Sequence, residues 1–246
     1  MKKALTTVLA LGITLGGLPT ISSAAMEKTS VTQEQQQQQV LSEELIKEIK
    51  KNFTRGGIPE ETQVKLTEKV NRGELLDAQN PAMAGTGRTE SKSYWDENGI
   101  LCTERKTTYL DGSVTLESAS GGTVERVKST DKQETVSGGT SRTGSGYVSY
   151  YGRNVSRLSG VVYSSFKADY TNVQGGYDSL SRIYEWDISG VGSLSNVYLD
   201  LVRDSETYDS NAYGYLRFTG TVGGYTTTFY HRLYVGNDTA WDNGNW

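Results

Sequence analysis

Ala212-Tyr-Gly-Tyr-Leu-Arg-Phe-Thr-Gly-Thr-Val222, then Gly223-Gly224, then Tyr225-Thr-Thr-Thr-Phe-Tyr-His-Arg-Leu-Tyr-Val235 is the stretch that decides the fold class of this 246-residue chain. In the first arm Ala212, Gly214, Leu216, Phe218 and Val222 recur on one face, with Tyr213, Tyr215, Arg217 and Thr219 on the other. In the second arm Phe229, His231, Leu233 and Val235 share a face, and Thr226, Thr228, Tyr230, Arg232 and Tyr234 share the opposite one. Side chains of a strand alternate with period two, so each arm predicts a half-buried strand. Gly223 and Gly224 can both take the positive φ of a two-residue type I′ turn, whose twist matches the strands it joins. The stretch therefore predicts a β-hairpin. Two strands alone leave one apolar face uncovered, so more sheet must pack against it.

Further alternating runs precede it at 146–151, 160–173, 177–188 and 194–202, and 14 of the 16 tyrosines fall after residue 146. Val162, Phe166, Ala168 and Tyr170 share one face of the second run; Val197, Leu199 and Leu201 share one face of the fourth. Short strands separated by Gly, Asn, Asp and Ser turns predict a mainly β fold, an antiparallel β-sandwich of immunoglobulin-like or jelly-roll type, over 146–246. A partly closed barrel satisfies the same periodicity. Upstream, 93–128 predicts a β-meander turning at Asn98-Gly99, Asp111-Gly112 and Gly121-Gly122. The polar stretches 80–92 and 129–145 are expected linkers.

A short helical hairpin is expected over 42–79. Leu45, Ile46, Ile49 and Phe53 form one stripe, Ser42 can cap the first free amides, and Gly56-Gly57 stops the helix. Pro59 suits a first helical position, and Val64, Leu66 and Val70 continue a second helix toward Gly73. Its apolar face is too small for a separate domain, so the hairpin must either dock or be a removed prosegment. Residues 26–41, with their Gln-rich run, are expected to be a flexible leader.

Residues 1–25 carry Lys2-Lys3, an apolar run and Ser23-Ala24-Ala25, the pattern of a secretory signal peptide. The run is shorter than the roughly 20 residues a spanning helix needs. No cysteine stands directly after the cleavage site and no apolar tail closes the chain, so the expected destination is the extracellular space without a stable membrane anchor. Removal of residues 1–25 leaves 23 basic against 29 acidic residues, a formal charge of −6. Without a clustered basic footprint, nucleic acid is not an expected partner.

Catalytic signatures are missing: there is no Gly-x-Ser-x-Gly elbow, Walker loop, His-Glu-x-x-His or Cys-x-x-Cys. One histidine and one cysteine leave little for a zinc site, and neither metal nor other cofactor is expected. Cys102 sits in an expected strand with no base or helix terminus to activate it, so it reads as a small core residue. His231 lies on the apolar face of the hairpin, as a hydrogen-bonded core histidine would. Asp200, Asp204, Glu206 and Asp209 cluster near an expected loop but lack the spacing of a calcium loop. Tyr184-Glu185-Trp186-Asp187 would put its acids and its aromatics on opposite faces of a strand.

The candidate binding residues are Tyr213 and Tyr215 on the outer face of the hairpin, with Trp241 and Trp246 in an amide-rich tail containing Asn237, Asp238, Asp242 and Asn243. Tyrosine and tryptophan offer flat apolar rings with polar tips, suited to sugars and to protein contacts. Tyrosine is equally an ordinary strand residue.

Ile58-Pro59-Glu60-Glu61-Thr62-Gln63, followed by Gly73-Glu74-Leu75-Leu76-Asp77 and Asn80-Pro81, resembles an N-terminal segment of secreted proteins from Gram-positive bacteria. Tyr170-Thr171-Asn172-Val173-Gln174-Gly175-Gly176-Tyr177 and Tyr234-Val235-Gly236-Asn237-Asp238 resemble marks of an associated C-terminal β-domain of unknown function. The resemblance implies export and a two-part layout, and it carries over no catalytic residues. The expectation is a secreted, non-catalytic protein that binds a cell-envelope glycan or a protein. The alternatives are a glycan-active hydrolase using Glu185 with a second carboxylate, and a membrane-active effector acting through 140–173.

Overall fold

The structure is a computed structural model describing residues 41–95, 101–120, 136–137 and 139–245. All of them belong to one compact unit, 37–246. Two helices, α1 (Glu43–Arg55) and α2 (Glu60–Asn71), are followed by 3-10 turns at Asp77–Gln79 and Pro81–Met83. Then come strands β1 (Arg88–Trp95), β2 (Leu101–Thr108), β3 (Val114–Ser120), β4 (Val136–Ser137), β5 (Thr140–Gly144), β6 (Tyr147–Ser159), β7 (Val162–Val173), β8 (Ser179–Ser189), β9 (Ser193–Arg203), β10 (Ala212–Val222), β11 (Tyr225–Gly236) and β12 (Thr239–Gly244). The fold is mainly β, with two antiparallel sheets after the helices. Strands β1 to β8 form the larger sheet in the order β1-β2-β3-β6-β7-β8, with β4 and β5 also on β6; the smaller has the order β12-β11-β10-β9.

The opening hairpin is β10 and β11. Gly223 and Gly224 have φ of 54° and 86°, and the ladder runs without a slip from Val222 opposite Tyr225 to Ala212 opposite Val235. Burial alternates strictly along β10 and, from Phe229, along β11 as far as Val235.

Both helices dock. The Ser42 hydroxyl accepts the Leu45 amide at 3.2 Å, and Pro59 stands at the N-cap of α2, one residue before the expected position. Ile49 and Phe53 of α1 and Leu66 and Val70 of α2 join the same buried cluster as both sheets, whereas Val64 faces solvent. Leu66 is two residues beyond Val64, so one helix face cannot hold both. Asn52 of α1 is fully buried and donates to the Val161 carbonyl at 2.8 Å, and the Arg55 guanidinium lies 3.6 Å from the centre of the Tyr163 ring. Strand β7 is thus covered by α1 at its start, while Phe166 in the same strand meets the His231 ring of the smaller sheet at 5.1 Å.

The strands depart from simple alternation at several bulges, and three of these hold a residue with positive φ. Glu185 adopts φ of 49°, and the β7–β8 register skips between Ser165–Asp187 and Lys167–Tyr184. Glu185 and Trp186 therefore share one partner position, and both are exposed. The expected separation of acids from aromatics through Tyr184–Asp187 does not hold, because the extra residue resets the pleat. Asn196, with φ of 49°, lies at a similar register skip in β9. Gly152, with φ of 66°, lets β6 continue to Ser159 past its expected end at Tyr151. Part of the expected linker is strand as well: β5 pairs with β6 from Thr140–Tyr151 to Gly144–Tyr147. Its side chains are polar and mostly exposed, so it has no apolar period to announce it.

Cys102 is fully buried in β2, opposite Tyr94. No helix among the described residues is long and apolar enough to cross a membrane. The expected signal peptide, residues 26–40 of the expected leader, the turns at Asn98-Gly99 and Gly121-Gly122, and Trp246 lie outside the described residues; Leu41, the last residue of the expected leader, is instead buried in the core, where the first turn of the helical hairpin packs.

Candidate functional site

Because β10 and β11 are in strict register, their outward residues form rows that continue into β9 and β12. In the first row Arg203, Tyr213, Tyr234 and Trp241 are direct cross-strand partners. The Tyr213 and Tyr234 ring centres are 5.6 Å apart at 23°, and Tyr234 and Trp241 are 5.7 Å apart at 18°. The second row is Asp200, Tyr215, Arg232 and Asn243; the third contains Tyr198, Arg217 and Tyr230. Below them hydroxyls pair across strands, Thr219 with Thr228 at 3.2 Å and Thr221 with both Ser193 and Thr226 at 2.7 and 2.8 Å.

Three of the four expected binding residues therefore meet. Tyr213 and Trp241 are joined through Tyr234, and Tyr215 stands one row away, edge-on to Tyr230 at 6.0 Å. The rings of the first row use their faces on one another. A sugar laid flat on this sheet would meet ring edges and phenol tips, so the broad stacking surface expected from these aromatics is not what the row presents.

Guanidiniums complete these rows. Arg203 lies over Tyr213 at 5.6 Å, Arg217 between Tyr198 and Tyr230 at 5.5 and 5.7 Å, and Arg232 over Tyr230 at 4.6 Å. Each contact is of the cation–π kind, which holds the cation without neutralising it. Arg203 also donates to the Asn211 carbonyl at 3.2 Å. Among the described residues none of the three makes an ion pair, and the rows hold one carboxylate, Asp200.

Between the sheets lies a second polar group. His231 Nδ1 is 2.9 Å from the Ser164 hydroxyl, and its Nε2 is 3.4 Å from Asp242, which also pairs with Arg157 at 3.1 Å. Burial holds the His231 pKa below its usual value, with Asp242 pulling the other way. Ser164 and Nδ1 share a hydrogen bond on one side of the ring, and the Asp242 carboxylate faces Nε2 on the other. This order of groups resembles a serine hydrolase triad, yet Ser164 and His231 have no exposed surface. A substrate cannot reach the hydroxyl, and His231 takes the core role its alternation predicted.

The acidic stretch divides. Asp200, Asp204 and Asp209 are exposed, whereas Glu206 is buried beside Asp178. Asp178 accepts the Val173 and Asp238 amides at 2.7 and 2.8 Å; Glu206 accepts those of Asn237 and Asp178, each at 3.0 Å. Both carboxylates staple loops. No group of three His, Cys, Asp or Glu side chains among the described residues is placed to hold a metal ion. Glu185 pairs with Lys167 on the exposed bulge.

Comparison of the chain with family models, curated proteins and solved structures gives no match.

Proposed function

We propose that the chain is a secreted, non-catalytic β-sandwich protein whose smaller sheet binds an anionic cell-envelope glycan on its outer face. The observation that carries this is the set of guanidiniums of Arg203, Arg217 and Arg232, spread over tyrosine rings on one face and without an ion pair among the described residues. A guanidinium with no carboxylate partner offers forked donors that match phosphate and carboxylate. Three of them on a flat sheet suit a repeating anionic polymer better than a compact ligand. The phenol tips of Tyr213, Tyr215 and Tyr234 and the edge of Trp241 supply neutral contacts between the charges. Export rests on Lys2-Lys3 and the apolar run after them. The sandwich arrangement is supported by inter-sheet contacts at Phe166–His231 and Arg157–Asp242.

The test is co-sedimentation of the chain beginning at Met26 with purified Gram-positive cell walls, before and after chemical removal of their anionic polymers. Retention should weaken with added salt, as screening requires. It should fall in the Arg217→Gln/Arg232→Gln double variant and on stripped walls. Equal retention by the double variant and the parent, or none at all, overturns the proposal. A protein partner is the second reading, favoured by the Tyr, Trp and Arg composition common to interface hot spots. It predicts retention that survives stripping and disappears when the walls are treated with protease.

A further inference from the structure

Where β1, β2 and β3 extend the larger sheet, a cavity of about 410 Å³ opens on the face that carries Arg157. Its floor is made of aligned cross-strand partners: Thr89 beside Thr107 beside Thr115, and Arg105 beside Glu117 beside Arg157. One wall is the turn segment from Ala78 to Gly85, and the other is the chain end at Gly244 and Asn245. The root of the turn segment is fixed, since the Ala78 amide donates to the Ser113 hydroxyl at 3.0 Å and its carbonyl accepts from Ser159 at 2.7 Å. A second cavity of about 310 Å³ shares Gln79, Pro81 and Asn245 with the first and is otherwise lined by Leu75, Val222, Tyr225, Phe229 and Thr226 to Thr228. Each volume falls in the range of about 300 to 1,000 Å³ typical of small-ligand sites.

We infer that this paired cleft binds a neutral saccharide, with its hydroxyls on the Arg105–Glu117–Arg157 row and its less polar edge or acyl substituent in the second chamber. Glu117 is held on both oxygens, Oε2 by Arg105 and Oε1 by Arg157 at 2.6 Å, so its carboxylate plane is set before any ligand arrives. Beside it the hydroxyls of Thr89, Thr107 and Thr115 and the Asn80 amide both donate and accept. A surface of mixed donors and acceptors matches a polyol, in which every hydroxyl does both. Charge selects against the alternatives. Arg105 and Arg157 are balanced by Glu117 and by Asp242 behind Arg157, so neither an anion nor a cation gains from entering. The floor is too polar for a wholly apolar ligand, and the second chamber is too apolar for a fully hydrated one. Thr89 and Pro81 are exposed, so the site is reached from solvent.

The cleft contains none of the three outer-face arginines, and soluble sugars test it without cell walls. Amide NMR spectra of the chain from Met26 would be titrated with cellobiose, with the disaccharide of N-acetylglucosamine, and with glycerol 3-phosphate as an anionic control. Saturable shifts around Thr89, Thr107 and Asn245 with either disaccharide, and none with the phosphate, are expected. Thr107→Trp fills the first chamber and should weaken binding by at least about tenfold. Thr89→Trp, at an exposed position, serves the same purpose should the first variant fail to fold. The Arg217→Gln/Arg232→Gln variant should bind the disaccharide as the parent does. Absence of shifts with both sugars overturns the inference. So do shifts confined to Tyr213 and Trp241, preference for the phosphate, or binding unchanged in a folded chamber-filling variant.

Discussion

Arg157 of β6 and Asp242 of β12 meet at 3.1 Å between the two sheets, and Arg157 joins the buried charges on either side of it. Burial works against its charged form, but Asp242 and Glu117 override this and raise its pKa. Replacing Arg157 with Met would leave two carboxylates facing one another in the interior. Removing one partner of a buried pair typically costs about 3 to 5 kcal/mol, and Arg157→Met should lose that much in urea unfolding. Neutralising the partners as well, in Arg157→Met/Glu117→Gln/Asp242→Asn, should recover a large part of the loss. A triple variant no more stable than the single one would show that packing, not charge, governs this site.

Asp178 makes stability depend on pH in a definite direction. Burial, ahead of repulsion from Glu206 and Asp238, pushes its pKa up from 3.8 to about 7 despite the amides of Val173 and Asp238 that favour the carboxylate. The folded protein thus holds this proton more tightly than the unfolded chain. The resulting stabilisation is fully present below about pH 4 and is lost as pH rises through about 7. Asn at position 178 cannot titrate. The difference in melting temperature, parent minus Asp178→Asn, should therefore decline between about pH 4 and 7 and then level off. A difference that is flat across this range would refute the assignment. His231 works in the opposite sense, since its lowered pKa makes the folded state lose stability as pH falls through about 6.5, which is why the difference between variants is the quantity to measure.

Much of the fold was legible where local chemistry fixes geometry. Tyr213 and Tyr234 each stand ten residues from the Gly223-Gly224 turn, so a two-residue turn alone makes them partners. Extending the same count would have revealed Arg217 opposite Tyr230 and with it the arginine component of the face. The bulges at Glu185 and Asn196 were hidden, because neither residue is the glycine that normally announces a left-handed backbone. Strand β5 was hidden by its polarity. Ser164, His231 and Asp242 come together only through the packing of separate sheets; 67 residues divide the first two, and no local pattern encodes that meeting. The paired cleft was invisible for the same reason, drawing its lining from turns, both sheets and the chain end.

The helical hairpin can be tested as part of the folded body. Phe53 is fully buried among residues of both sheets, while Val64 on the neighbouring helix is half exposed. Phe53→Ala should cost about 3 to 5 kcal/mol, as for other buried phenylalanines, and Val64→Ala should stay within about 0.5 kcal/mol. Chemical denaturation of both variants checks this. Near-parent stability of Phe53→Ala would mean that the helices contribute little and would favour their removal as a prosegment.

Gly190 and Gly224 separate two reasons for a glycine. Both have positive φ, 82° and 86°, so alanine at either position carries backbone strain of about 1 to 2 kcal/mol. They differ in surroundings. A Cβ on Gly224 meets nothing within 4 Å, whereas one on Gly190 would lie 1.9 Å from the Val161 carbonyl oxygen and 2.8 Å from Asn52 Nδ2. That carbonyl is the acceptor of the buried Asn52 amide, and the Gly190 amide itself donates to Glu48 at 3.0 Å. An alanine here must push apart α1 and the β8–β9 connection, breaking hydrogen bonds that hold the helix on the sheet. Gly190→Ala should therefore destabilise by clearly more than Gly224→Ala and should accelerate amide exchange in α1, while Gly224→Ala leaves α1 exchange unchanged. Equal losses in the two variants would show that backbone strain alone accounts for both and that the close approach at Val161 has no energetic weight.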